Sequence, residues 1–177
     1  MRGWPRASTV GAVRDDDVDP ALFLIGLIRA RVRWLLIGRQ ALIHYGVPVQ
    51  TMDYDLWLDP APANVRKLLR IARELGLEAP ESAKELESRP LFSLFGGSLK
   101  IDVFKVRKFT NLDGDMIDFA SAYRRRVIAR VKGDPLAPPL PSIQDLKTLK
   151  RMRDGASDRE DLRYLDLLEA GRKPSKK

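Results

Sequence analysis

The chain has 177 residues, 44% of them hydrophobic, with a formal net charge of +8 and no cysteine. That length suits one domain with a small helical extension, and the apolar share can fill a core. The missing cysteines exclude disulfides, thiolate nucleophiles and zinc–thiolate centres and fit a reducing cytoplasm, while the basic balance either favours polyanionic partners such as nucleic acid or only keeps the surface solvated.

Residues 1–18 are expected to form a flexible arm. The apolar run at 21–28 is too short to cross a bilayer, is interrupted by Gly26, and lacks the flanks of a secretory signal, so no membrane partner is expected. Asp19-Pro20 supplies a cap and a first-turn proline for a helix over 20–32. Residues 33–37 read as a buried strand, followed at Gly38 by a turn and a short helix over 39–46 that Val47-Pro48 cannot continue. A second strand is expected over 53–58, then a Pro-rich break and a helix over 62–75.

Residues 77–90 are charged and weakly periodic, a loop or a surface helix. Gly96-Gly97 predicts a tight hairpin between 91–95 and 98–106, since glycine accepts the positive φ such turns need. Residues 107–117 read as an irregular excursion with a turn at Asp113-Gly114, 118–126 as helix and 127–132 as a short strand. A stiff proline connector follows, and Ser142 caps a helix running to about Arg153, with Asp145 completing a weak capping box. Gly155 ends that helix, the last one occupies 158–169, and the basic tail 171–177 is expected to fray.

Strand periodicity turns Asp53 and Asp55 to one face, with Met52, Tyr54 and Leu56 on the other. Two adjacent carboxylates repel unless a cation lies between them, and oxygen-only ligands favour Mg²⁺ or Mn²⁺. Asp102, between Ile101 and Val103, is costly to bury unless it is paired or coordinates a metal. Taken singly, a strand aspartate more often faces solvent at an edge; the three together would surround one point if their strands were neighbours.

The order of apolar strand, glycine turn, short helix, Thr51-x-Asp53-x-Asp55-Leu56 and a later Ile101-Asp102-Val103 resembles the nucleotidyltransferase superfamily that includes DNA polymerase β. It is most similar to the AbiEii-type toxin branch and minimal nucleotidyltransferases, through Gly38, Ala41, His44-Tyr45-Gly46, Pro48 and the downstream Phe119–Tyr123, Lys150, Asp158 and Asp161. The resemblance runs from about Trp34 to Leu168. It implies an α/β (α+β) fold: a small mixed sheet flanked by helices, with a C-terminal helical pair. The expected division is a core over 19–134 and a helical segment over 135–170.

The resemblance also implies roles. Asp53, Asp55 and Asp102 would hold the metals, with Asp102 helping to activate an acceptor hydroxyl. Lys150 would contact the phosphates of an NTP such as ATP, and Asp158 would orient Lys150 or the acceptor; without the resemblance these are a solvated lysine and a helix cap. Gly38 and Arg39 would line the nucleotide site. The family usually carries a small residue where Arg39 stands, so the guanidinium would either fork a phosphate or fill the pocket. The implied reaction moves an NMP to an acceptor hydroxyl, with RNA (a tRNA end) preferred because of basic clusters at 124–132, 147–153 and 172–177, and with an antitoxin protein as a further partner. The other readings are a weakly catalytic module of the same fold that binds RNA or protein, and a purely structural basic domain.

Overall fold

The computed structural model describes residues 17–79, 83–128 and 136–171. Helix α1 (Pro20–Arg29) begins where the Asp19 carboxylate accepts the Ala21 N–H at 2.8 Å. It ends before the expected 20–32 span is complete, because Arg31 turns to φ 51° and leads the chain into β1 (Trp34–Ile37). Helix α2 (Gly38–His44) starts directly at the glycine, and β2 (Tyr54–Leu58) starts one residue later than expected, leaving Asp53 in the loop before it. Helix α3 (Pro62–Glu74) and the short α4 (Ala83–Ser88) carry the chain to the hairpin of β3 (Leu91–Gly96) and β4 (Leu99–Phe104).

The hairpin turn is Gly97-Ser98 rather than Gly96-Gly97. Gly97 takes φ 61°, while Gly96 stays in the strand and pairs with Leu99. The stretch expected to be irregular, 107–117, contains a second hairpin, β5 (Lys108–Thr110) with β6 (Met116–Asp118). Three-residue arms are too short for an alternation signal to stand out. Helix α5 (Phe119–Arg124) follows, capped by Asp118, and β7 (Val127–Ile128) pairs with β8 (Pro139–Leu140). The remainder of the strand expected over 127–132 lies outside the described residues, as do the arm up to residue 16 and the tail from 172.

Ser142 caps α6 (Ile143–Lys150), its hydroxyl accepting the Asp145 N–H at 3.2 Å. The helix stops at Lys150, short of Arg153, and α7 (Ala156–Gly171) is longer than the expected 158–169.

The main sheet has the order β1-β2-β4-β3, with β2 and β4 parallel and both outer pairs antiparallel. Alternation splits it into two buried faces. Leu36, Leu56, Leu58, Ile101 and Val103 pack with Leu24 and Leu27 of α1 and Leu68 of α3, in a cluster that also takes in Leu146 and Leu165 of the C-terminal helices. On the other face Leu35, Ile37 and Trp57 meet Phe109, Ile117 and Phe119. The Trp57 indole donates to the Val106 carbonyl at 2.8 Å and stacks obliquely on Phe109, ring centres 4.8 Å apart. This second face is apolar only over the half reached by the small hairpin. Its other half carries acids.

Candidate active site

Asp55 and Asp102 are Cα partners in the parallel ladder of β2 and β4, so both side chains leave the sheet on the face of Trp57 and Phe104, two residues further along each strand. Asp53 is exposed in the preceding loop, its N–H donating to the Thr51 hydroxyl at 3.1 Å. The Thr51 carbonyl in turn accepts from the Gln40 side chain at 3.3 Å, which ties that loop to α2.

Gly38 is fixed by contact with Asp55. It has φ +67°, and a Cβ there would lie 2.1 Å from Asp55 Oδ2. The glycine lets the backbone end of β1 pass against the carboxylate. Burial first, and then the charges of Asp102 and Asp53, raise the Asp55 carboxyl above its ordinary pKa, against the opposing pull of Lys150 and Arg153. Asp55 makes no ion pair of its own among the described residues. Asp102 is held on both oxygens: the Ser93 hydroxyl donates to Oδ1 at 2.5 Å, and the Lys100 ammonium lies 2.8 Å from Oδ2.

Helices α6 and α7 form the opposite wall. Gly38, Asp55, Asp102, Lys150 and Asp158 all line one cleft of about 350 Å³, floored by Phe104 and Phe109. A larger hollow of about 740 Å³, against Leu22 and Phe95, contains none of the predicted site residues. Lys150 is only 9% exposed, and its nearest acid is Asp161, with Nζ 2.6 Å from Oδ2; Asp158 follows at 3.4 Å and also pairs with Arg153 at 3.6 Å. Asp161 is wholly buried, and the charges of Lys150 and Arg39 make its own tolerable there.

Arg39 points away from the cleft. Its Nε lies 3.2 Å from Asp161 Oδ1 and its Nη2 2.8 Å from Glu160. Desolvation alone would lower the guanidinium's pKa, but the hydrogen bonds and charges of Asp161 and Glu160 outweigh it and raise it. Arg39 neither lines nor fills the cavity; it ties the start of α2 to α7.

Members of the first two basic clusters are likewise engaged internally. Lys147 pairs with Asp166 at 2.5 Å and Glu169 at 2.7 Å, and Arg125 with Asp145 at 2.7 Å. Arg124 and Arg126 are exposed, and the Arg126 guanidinium lies 4.1 Å from the centre of the Tyr123 ring. Arg130, Lys132 and the basic tail lie outside the described residues. Sequence reasoning gave no site role to Lys100 or Ser93. Strand alternation places Lys100 on the face of Asp102, and the hairpin register places Ser93 opposite it.

The fold is similar to that of solved nucleotidyltransferases. The lincosamide antibiotic adenylyltransferase LnuA, in its lincomycin-bound crystal structure, matches with a TM-score of 0.59 at 14% identity, over 87% of this chain and 99% of its own. The solution structure of the antibiotic-resistance factor ANT(2'')-Ia matches at 0.55 and 14%, over 84% and 86%. The crystal structure of ANT(2'')-Ia with adenylyl-2''-tobramycin matches at 0.53 and 15%, over 85% and 92%. No protein-family model matches the chain, and no curated protein matches it closely. The fold is the nucleotidyltransferase fold, a mixed four-stranded sheet flanked by helices with α6 and α7 packed together at its C-terminal side. No helix among the described residues is long and apolar enough to cross a membrane.

Proposed function

We propose that the cleft transfers a nucleoside monophosphate from an NTP to an acceptor hydroxyl. One observation carries this reading: two strand aspartates in register, Asp55 and Asp102, share a cavity with Lys150 and with a glycine that has no room for a Cβ. The donor set fits a hard divalent cation, being all carboxylate, with the Asp55 carboxyl raised in pKa by burial first and then by the charges of Asp102 and Asp53. As they stand, no three acids among the described residues are gathered around one point, and Lys100 occupies one oxygen of Asp102. Asp53, Asp55 and Asp102 would hold the Mg²⁺ or Mn²⁺. When bound, the metal supplies charge neutralisation on the phosphate oxygens and lowers the acceptor hydroxyl's pKa.

The remaining work falls to this chain's own groups. The acceptor oxygen attacks the α-phosphorus, the bond to the pyrophosphate leaving group breaks, and the acceptor proton passes to Asp102. Little covalent help is needed; positioning and electrostatics suffice. Lys150 lines the cleft with its ammonium paired to Asp161 and Asp158, and it would contact the phosphates of a bound NTP. Ser93 fixes the rotamer of Asp102. Arg39 acts as a positioning residue through α7.

Two acceptor classes have support. RNA, including a tRNA end, is favoured by the net charge and the exposed Arg124 and Arg126, and a toxin role with an antitoxin partner would go with it. A small hydroxylated molecule is favoured by the fold neighbours, one bound to lincomycin and one to adenylyl-2''-tobramycin. The test is to incubate the protein with each α-labelled NTP and Mg²⁺, offering total RNA, tobramycin or lincomycin. Label transfer that disappears in Asp53→Ala and Asp55→Ala is expected, and the labelled species names the acceptor. RNA binding with no transfer, unchanged in those variants, would replace the enzyme with a binding module.

A further inference from the structure

We infer that Lys100 is a tethered counter-ion of the aspartate cluster, whose ammonium must leave Asp102 before a divalent cation takes that carboxylate, so that Lys100 sets how tightly the cleft holds metal. The inference rests on the metal-dependent reading above and concerns a residue that reading does not use.

Lys100 and Asp102 are two residues apart on β4, hence on the same face of the sheet. Their charged groups meet at 2.8 Å, with the lysine side chain 45% exposed and the aspartate 23%. The contact belongs to a wider field. The ammonium's pKa is raised first by its hydrogen bond to Asp102, and the charges of Asp53 and Asp55 push in the same direction. The charge on Lys100 therefore stands in the field of all three acids, in contact with Asp102. Ser93 grips only Oδ1, so the oxygen that Lys100 covers is the one a departing side chain would free.

The exposure of the pair decides its strength. An exposed lysine–carboxylate contact is worth only a factor of about 1.4 to 5 in equilibrium terms, so a divalent ion can displace it. A buried pair would have sealed the site. Once displaced, the long side chain still keeps a positive charge near the bound cation, which weakens the metal further by repulsion. Removing the charge takes away both the competition and the repulsion.

The experiment is a titration of the full chain with Mn²⁺ alone, without nucleotide, reading free Mn²⁺ by electron paramagnetic resonance. Lys100→Met is expected to bind Mn²⁺ about three- to tenfold tighter than the unchanged protein, on the scale of an exposed pair plus like-charge relief. Lys100→Arg, which keeps the charge, is expected to bind as the unchanged protein does. Thermal melts of each variant confirm that this exposed position leaves the fold intact. Equal or weaker binding by Lys100→Met overturns the inference; if Asp55→Asn still abolishes binding, the metal-dependent reading survives that failure. Absence of Mn²⁺ binding in every form overturns both together.

Discussion

Replacing Gly38 with alanine should damage stability for two separable reasons. The backbone stands at φ +67°, where an L-residue pays about 1–2 kcal/mol. The new methyl would lie 2.1 Å from Asp55 Oδ2, and relieving that contact means moving a side chain on a strand paired on both sides. Overpacking of this kind costs about 1–3 kcal/mol. Together the loss is about 2–5 kcal/mol, or some 2–4 °C of thermal midpoint for each kcal/mol in a chain of this size. Urea unfolding followed by fluorescence will read it, since Trp34 and Trp57 are both buried. The two terms part in the Asp55→Ala background. There the nearest remaining atom is the Cβ of residue 55 at 3.1 Å, which a small shift accommodates. Gly38→Ala should then cost only the backbone share, leaving a coupling of about 1–3 kcal/mol in the double-mutant cycle. An equal cost in both backgrounds would show that the close approach of glycine and carboxylate has no energetic weight.

Lys150→Met should destabilise by about 3–5 kcal/mol in urea unfolding, because it strands the wholly buried Asp161 with Arg39 alone, and Lys150→Met with Asp161→Leu should recover most of that loss. Arg39→Ser should weaken the docking of α7 by about 1–3 kcal/mol without the gain in NTP affinity that opening a blocked pocket would bring; equilibrium binding of a fluorescent nucleotide checks the second half. Asp118→Ala should cost about 1 kcal/mol at neutral pH through loss of the α5 cap. The hydrogen bonds from Ser121 hold the Asp118 carboxyl below its ordinary pKa, so its charged form stabilises the fold above the unfolded-state value. The difference between Asp118→Ala and the unchanged protein should therefore shrink as pH falls through the folded-state pKa, as urea midpoints across an acid series will report.

The main-sheet strands and the helix starts were open to reading from the sequence because each has a local cause. Asp19-Pro20 and Ser142 carry their caps in their own side chains, and the Asp-x-Asp alternation fixes which way Asp55 points. Parallel pairing of β2 with β4, which brings Asp102 beside Asp55, was not legible; the resemblance implied only a small mixed sheet. What stayed hidden depends on distant partners. Arg39 offered a phosphate fork or a plug, and neither reading anticipates an acid 122 residues away in sequence. Asp158 drew attention ahead of Asp161, yet Asp161 is the more deeply buried and the closer to Lys150. Alternation puts Lys100 on the face of Asp102, but the contact between their charged groups depends on side-chain geometry that the sequence does not carry.

The parallel pairing of β2 and β4 also orders events in time. Antiparallel neighbours joined by a short turn can zip locally, but this pair must wait for a long crossover to be made and folded back. During synthesis the first aspartates emerge well before the strand that completes their ladder, and α7, which restrains both Arg39 and Lys150, follows both. A nascent chain halted between β4 and α6 would carry the acids without the wall that closes over them.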